Sequence, residues 1–181
     1  MEGIPVIVFA GYSGSGKTTL IEAVIPRLTA VGFRVAAVKH DAHGEAFDTA
    51  GSDSARLFEA GAAVSVISGP GRTSVTWREP EPKLEKLLAR ISGVDLILVE
   101  GYKRSDYTKL GLCRRDSGKS FTDDLSRFAA VISDEMELNC PCPVFHPDDA
   151  DGIARFILDN LNVFSRFGGG TDESPSRADG I

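Results

Sequence analysis

Apolar positions along the chain fall into short unbroken runs separated by stretches with helical spacing. Residues 4–10 (IPVIVFA) are continuously apolar and rich in β-branched side chains, the pattern of a strand covered on both faces. A glycine-rich segment follows at once. Beyond it Leu20, Ile21, Val24, Ile25 and Leu28 recur at intervals of three and four, which predicts a helix over 18–31 stopped by Gly32. Pro26 falls inside that helix and is expected to kink or shorten it. Residues 33–38 and 94–99 read as further buried strands, the first running into Lys39-His40-Asp41 and the second closed by Glu100-Gly101.

Between these strands the pattern is more broken. Residues 44–51 read as a loop, 52–60 as a short helix closed by Gly61, and 63–68 with 73–77 as a hairpin turning at Gly69-Pro70-Gly71. An amphipathic helix is predicted over 82–91. Strands are predicted at 110–114 and 128–132, and a final helix at 148–161 capped by Asp148 or Asp149. Strands alternating with helices predict an α/β fold: one domain, a mostly parallel doubly wound sheet with helices on both faces and a β-hairpin at its edge.

Composition narrows the class. The 181 residues are 42% hydrophobic and 25% charged with a net charge of −6, values of an ordinary globular chain that oppose broad binding to nucleic acid or to anionic membrane. The longest apolar run is too short to span a bilayer, and no basic segment precedes a small-residue cleavage site. Three cysteines, Cys113, Cys140 and Cys142, are an odd number and suit free thiols in a reducing, cytoplasmic setting. From Gly168 onward glycine, serine and charge dominate, so the folded domain is expected over 1–167 and a disordered tail over 168–181.

The chemistry concentrates at Gly11-Tyr12-Ser13-Gly14-Ser15-Gly16-Lys17-Thr18-Thr19, which matches G-x-x-x-x-G-K-[ST] between a predicted strand and a predicted helix. Glycines let the backbone wrap phosphates, successive N–H groups and the helix N-terminus bind the anion, Lys17 reaches the β- and γ-phosphates, and Thr18 offers a hydroxyl to Mg²⁺. The expected nucleotide-binding residues are therefore Gly11, Ser13, Gly14, Ser15, Gly16, Lys17, Thr18 and Thr19. A P-loop NTPase also needs a strand-end carboxylate for the metal. Glu100 and Asp41 fit, giving a metal set of Thr18, Asp41 and Glu100, with Lys17 and Glu100 as the catalytic pair. Asp134, after Val131-Ile132-Ser133, is either a base-contacting carboxylate or a turn residue.

Other motifs are weaker. Asp48 to Gly51 copies the D-x-x-G of GTPases but follows no buried strand, and no N-K-x-D base-reading motif occurs. His40 and His43 lack the spacing of a tetrahedral zinc site, and Cys140-Pro141-Cys142 reads as two loop thiols. Lys103, Arg104, Lys109, Arg114 and Arg115 form a basic cluster that is either a solvated edge or an anion pocket beside the nucleotide.

Taken together, the glycine-rich loop, VKHDAH (38–43), Phe47-Asp48, GSDS (51–54), EAGA (59–62), LVEGYK (98–103) and the closing helix resemble the molybdopterin-guanine dinucleotide biosynthesis protein B family. The resemblance implies a homodimeric P-loop protein that binds GTP and Mg²⁺, hydrolyses GTP slowly at best, and assists a molybdenum cofactor guanylyltransferase that attaches GMP to molybdopterin. Whether molybdopterin itself binds this chain is left open by it. Where the family pattern reads G-K-D-S, this chain has Gly51-Ser52-Asp53-Ser54. Two other readings of the P-loop compete. An ATP-dependent small-molecule or nucleoside kinase would use Arg114, Arg115 and Lys119 in a lid. A metallochaperone GTPase would need Cys and His clustered near the nucleotide.

Overall fold

The computed structural model describes residues 3–41, 51–114, 125–135 and 138–168. By its internal contacts the chain divides into two compact units, one formed from 1–40 with 88–181 and the other from 41–87.

The first unit is built on β1 (Ile4–Gly11), β2 (Val35–Lys39), β5 (Leu96–Glu100), β6 (Thr108–Cys113), β7 (Ala130–Ser133) and β8 (Val144–Phe145). They lie in the order β2-β5-β1-β6-β7-β8, and every neighbouring pair is parallel. The central strands carry unbroken apolar runs because they are buried on both faces: Val6, Ile7, Val8 and Phe9 of β1 and Leu96 to Val99 of β5 have no exposed surface. Edge strand β2 tolerates alanines and Lys39 because it is half-buried.

Strand alternation sorts these side chains onto two faces. Ile7 and Phe9 meet Leu20, Ile21, Val24 and Leu28 of α1 (Lys17–Ala30) and Ile153, Ala154 and Ile157 of α4 (Ala150–Asp159). Ala10 and Val131 point the other way, against Phe128 and the segment bearing Leu138, Cys140 and Cys142. At the surface Arg27 of α1 pairs with Asp151 of α4 at 2.6 Å.

The second unit holds α2 (Asp53–Glu59), capped by Ser52, whose hydroxyl accepts from the Ala55 N–H at 3.2 Å. It also holds the hairpin of β3 (Val64–Gly69) and β4 (Arg72–Trp77), paired from Val64 with Trp77 to Gly69 with Arg72. Expected at the edge of the large sheet, this hairpin is a separate two-stranded sheet.

Three further details differ from expectation. Pro26 does not shorten α1, which runs on to Ala30. Proline removes one hydrogen-bond donor, but Val24 and Leu28 are fully buried on either side of it and hold the helical path. The helix expected over 82–91 is only α3 (Leu84–Leu88). Two short pairings escaped the pattern: β8, and β9 (Arg166–Phe167), which pairs antiparallel with Ile4 and Pro5. The expectations for residues 44–50 and for the tail beyond Gly168 lie outside the described residues.

Candidate nucleotide-binding site

β1 delivers the chain to the glycine-rich loop at the C-terminal edge of the sheet, and α1 leaves from it. The glycines answer different demands. Gly14 and Gly16 have φ of 78° and 90°, the left-handed region that glycine enters without strain. Gly11 is required by space, since a Cβ there would stand 2.5 Å from the Leu112 carbonyl oxygen on β6. Ser13, Gly14, Thr18 and Thr19 are exposed along the loop and first turn, while Ser15 is buried with its hydroxyl unpartnered. The first-turn N–H groups of α1 have no carbonyl one turn earlier, so this end of the helix is open to an anion.

Lys17 folds back over the loop it follows. Its Nζ donates to the carbonyl oxygens of Gly11 at 3.2 Å and Tyr12 at 2.7 Å, and the residue is only 8% exposed. Burial pulls its pKa below the usual lysine value; the Glu100 carboxylate opposes that shift and Lys39 adds to it. A cation partly stripped of water, at the first residue of a helix with an open N-terminus, is arranged for a bound anion.

The Thr18 hydroxyl donates to Oε2 of Glu100 at 2.7 Å, bringing together two of the three metal candidates from distant parts of the sequence. Glu100 reaches this position because β5 lies beside β1, with Glu100 in register with Phe9. The turn after it is tightly fixed. Tyr102 has φ of 45°, its ring lies 4.7 Å from that of His40, and a Cβ on Gly101 would come within 2.8 Å of His40 Cβ.

Asp41 directly follows His40, whose backbone N–H donates to the Glu100 carbonyl at 2.9 Å. Asp134 follows the end of β7, which is separated from β1 by β6. Lys17, Thr18, Glu100 and the loop glycines are thus brought together, and Asp134 follows a strand further along the same edge. His43, Asp48, Arg115 and Lys119 lie outside the described residues.

Arg114 adds a residue that motif reading had left in a diffuse basic cluster. Its guanidinium lies against Gly16, with Nη2 3.3 Å from where a Cβ on that glycine would stand. The sequence signal was its place directly after β6, the strand that borders β1 on the side away from β5.

Cys140 and Cys142 are hydrogen-bonded to each other, and Cys142 also donates to the Leu125 carbonyl at 3.8 Å. Burial, with the neighbouring Cys140 thiol adding to it, pushes the Cys142 thiol up to about 12. Its thiolate fraction at pH 8 should then be roughly a thousandfold below that of an ordinary thiol. Cys142 is accordingly expected to resist iodoacetamide at pH 8 while free glutathione reacts, as peptide mass spectrometry would show; modification at the glutathione rate would refute this. Among the described residues, no three His, Cys, Asp or Glu side chains gather as a metal site, and no helix is long and apolar enough to cross a membrane.

Comparison with known proteins decides the family. The family model described as molybdopterin guanine dinucleotide synthesis protein B (MobB) matches residues 6–134, which include the loop, Glu100 and Arg114. This chain belongs to the MobB family. It is 33% identical over 162 residues to the molybdopterin-guanine dinucleotide biosynthesis adapter protein of Escherichia coli K12, covering 86% of this chain and 93% of that protein. The Haemophilus influenzae adapter protein is 32% identical, covering 89% of this chain and 92% of its own length. Among solved structures, Bacillus subtilis MobB superposes with a TM-score of 0.70 at 26% identity, covering 87% of this chain and 98% of that one. A MobB homologue from Bacillus stearothermophilus gives 0.66 at 29% identity with the same coverage. The mostly parallel P-loop fold is therefore the MobB fold.

Proposed function

We propose that this chain is a cytoplasmic GTP-binding adaptor in molybdenum cofactor maturation, assisting a guanylyltransferase in converting molybdopterin to its guanine dinucleotide. The adaptor role follows from the relatives, which are named molybdopterin-guanine dinucleotide biosynthesis adapter proteins. The observation that carries the nucleotide part is the Thr18 to Glu100 hydrogen bond beside a buried Lys17.

The residues present fit a nucleotide triphosphate with Mg²⁺. The unpartnered Ser15 hydroxyl, the uncapped first turn of α1 and Lys17 over its two carbonyls are donors awaiting an anion. Thr18 and Glu100 would hold Mg²⁺, and the ion would neutralise charge on the β- and γ-phosphates. Lys17 and Arg114 would supply fixed positive charge from the two sides of the loop, and Asp134 would contact the base. The chain contains no glutamine to orient a water, which supports slow hydrolysis.

The test is calorimetric titration of GTP and of ATP, each with Mg²⁺, into the purified protein. GTP is expected to bind more tightly. Preference for ATP would overturn the reading in favour of a small-molecule or nucleoside kinase.

We also propose a homodimer joined through the hairpin. Val64, Val66, Val75 and Trp77 share one face of β3 and β4 and are 37–57% exposed, while Ser65, on the other face, is bonded to the Ser54 carbonyl of α2. A two-stranded sheet is marginal alone, so a second copy covering this apolar face would stabilise it. Val66→Lys is expected to convert a two-chain mass to a one-chain mass by light scattering. An unchanged mass would locate the dimer elsewhere.

A further inference from the structure

The face of the sheet turned away from α1 holds a cavity of about 400 Å³, lined by Lys103, Arg104, Lys109 and Arg127 with Ala10 and Phe128 as its apolar wall. Its origin lies in the strand register. Val8 is paired with Lys109 and Ala10 with Gly111, so two of the smallest residues stand side by side on this face and leave space above them. Beside that space stands Lys109, the one charged residue of β6.

Among the described residues that line the cavity, four side chains are cationic and none is a carboxylate. Lys109 Nζ is drawn to the carbonyl oxygens of Ser105 and Tyr107. Its pKa is lowered by burial first and then by Arg127, with Asp106 opposing. Cations gathered against their mutual repulsion mark a place where a multiply charged anion is favoured. The volume exceeds one phosphate ion and falls in the range of small-molecule pockets, and the apolar wall suits a carbon skeleton. Lys103, whose ammonium lies 5.9 Å from the ring of Tyr12, also links this cavity to the nucleotide loop.

We propose that this cavity is a second ligand site that binds a small organic phosphate monoester, on the face of the sheet opposite α1 and separate from the glycine-rich loop. The site goes beyond the nucleotide reading, because none of its lining residues belongs to the set assigned to GTP or Mg²⁺.

Pyridoxamine 5′-phosphate is a suitable probe, being a fluorescent heterocyclic phosphate monoester with no aldehyde to react with lysine. Titrated into the full chain, it is expected to bind saturably and to keep its affinity in Lys17→Ala. Binding should weaken at least tenfold in the double variant Arg104→Ala/Arg127→Ala, whose exposed positions should leave the melting temperature unchanged. Pyridoxamine without phosphate should not bind. The proposal is overturned if the probe is lost in Lys17→Ala, if the double variant binds it equally well, or if inorganic phosphate binds as tightly as the probe.

Discussion

Lys17→Ala is expected to weaken Mg²⁺-GTP binding by about 2–5 kcal/mol, roughly thirtyfold to several thousandfold, as truncating one partner of a buried charge pair does. The ammonium of Lys17 is already positioned over the loop by the Gly11 and Tyr12 carbonyls, so little side-chain entropy remains to be lost on binding. Calorimetric titration of the variant would show this directly; a change under threefold would mean the loop binds phosphate without its lysine. The ligand-free protein offers a second check through pH. Lys17 has a folded pKa below its unfolded value, so the unfolded chain binds more protons in the window between the lowered value and 10.5. Stability contributed through this group therefore rises with pH across that window. The wild type should gain on Lys17→Ala as pH approaches 10.5, and urea titrations at several pH values would reveal the trend.

Phe9→Ala is expected to destabilise the fold by about 3–5 kcal/mol, a large part of the roughly 5–15 kcal/mol typical of a domain. Phe9 is fully buried between β1 and the apolar faces of α1 and α4, two residues before the nucleotide loop. Its loss would leave a cavity in the core it shares with Leu20, Val24 and Ile153, which packed neighbours can only partly fill. At roughly 2–4 °C per kcal/mol for a chain of this size, the melting temperature should fall by about 6–20 °C. Val163→Ala, at a position 70% exposed, is the control and should stay within about 0.5 kcal/mol of wild type. A fall under about 1 kcal/mol for Phe9→Ala, by the same denaturation measurement, would mean that the core repacks around the loss.

How much of this was legible in the sequence depends on where each signal was stored. β1, α1 and β5 were plain because unbroken apolar runs and helical spacing are local properties, and Glu100 was found because it ends such a run. The partnership of Thr18 with Glu100 could be expected but not measured, since it arises from the adjacency of β1 and β5. Arg114 was legible only as one member of a basic cluster, because what sets it against Gly16 is β6 lying on the other flank of β1. β8 and β9 were missed because two-residue strands have no period to read: β8 takes the free edge of β7, and β9 the end of β1 that runs past its neighbours β5 and β6. The hairpin was found but misplaced, because turn chemistry predicts pairing between adjacent strands and says nothing of which sheet they join.

The pairing of Ile4 with Phe167 bears on how the protein can be handled. It puts these two residues side by side at the start of β1, while the nucleotide loop lies at the far end of that eight-residue strand, about 25 Å away. Fluorophores or affinity handles appended through either residue would emerge from the same rim, clear of the phosphate donors. A circular permutant that joins this rim with a short linker and opens at Pro70-Gly71 would keep every pairing of the main sheet, providing a route to reporters that leave the loop untouched.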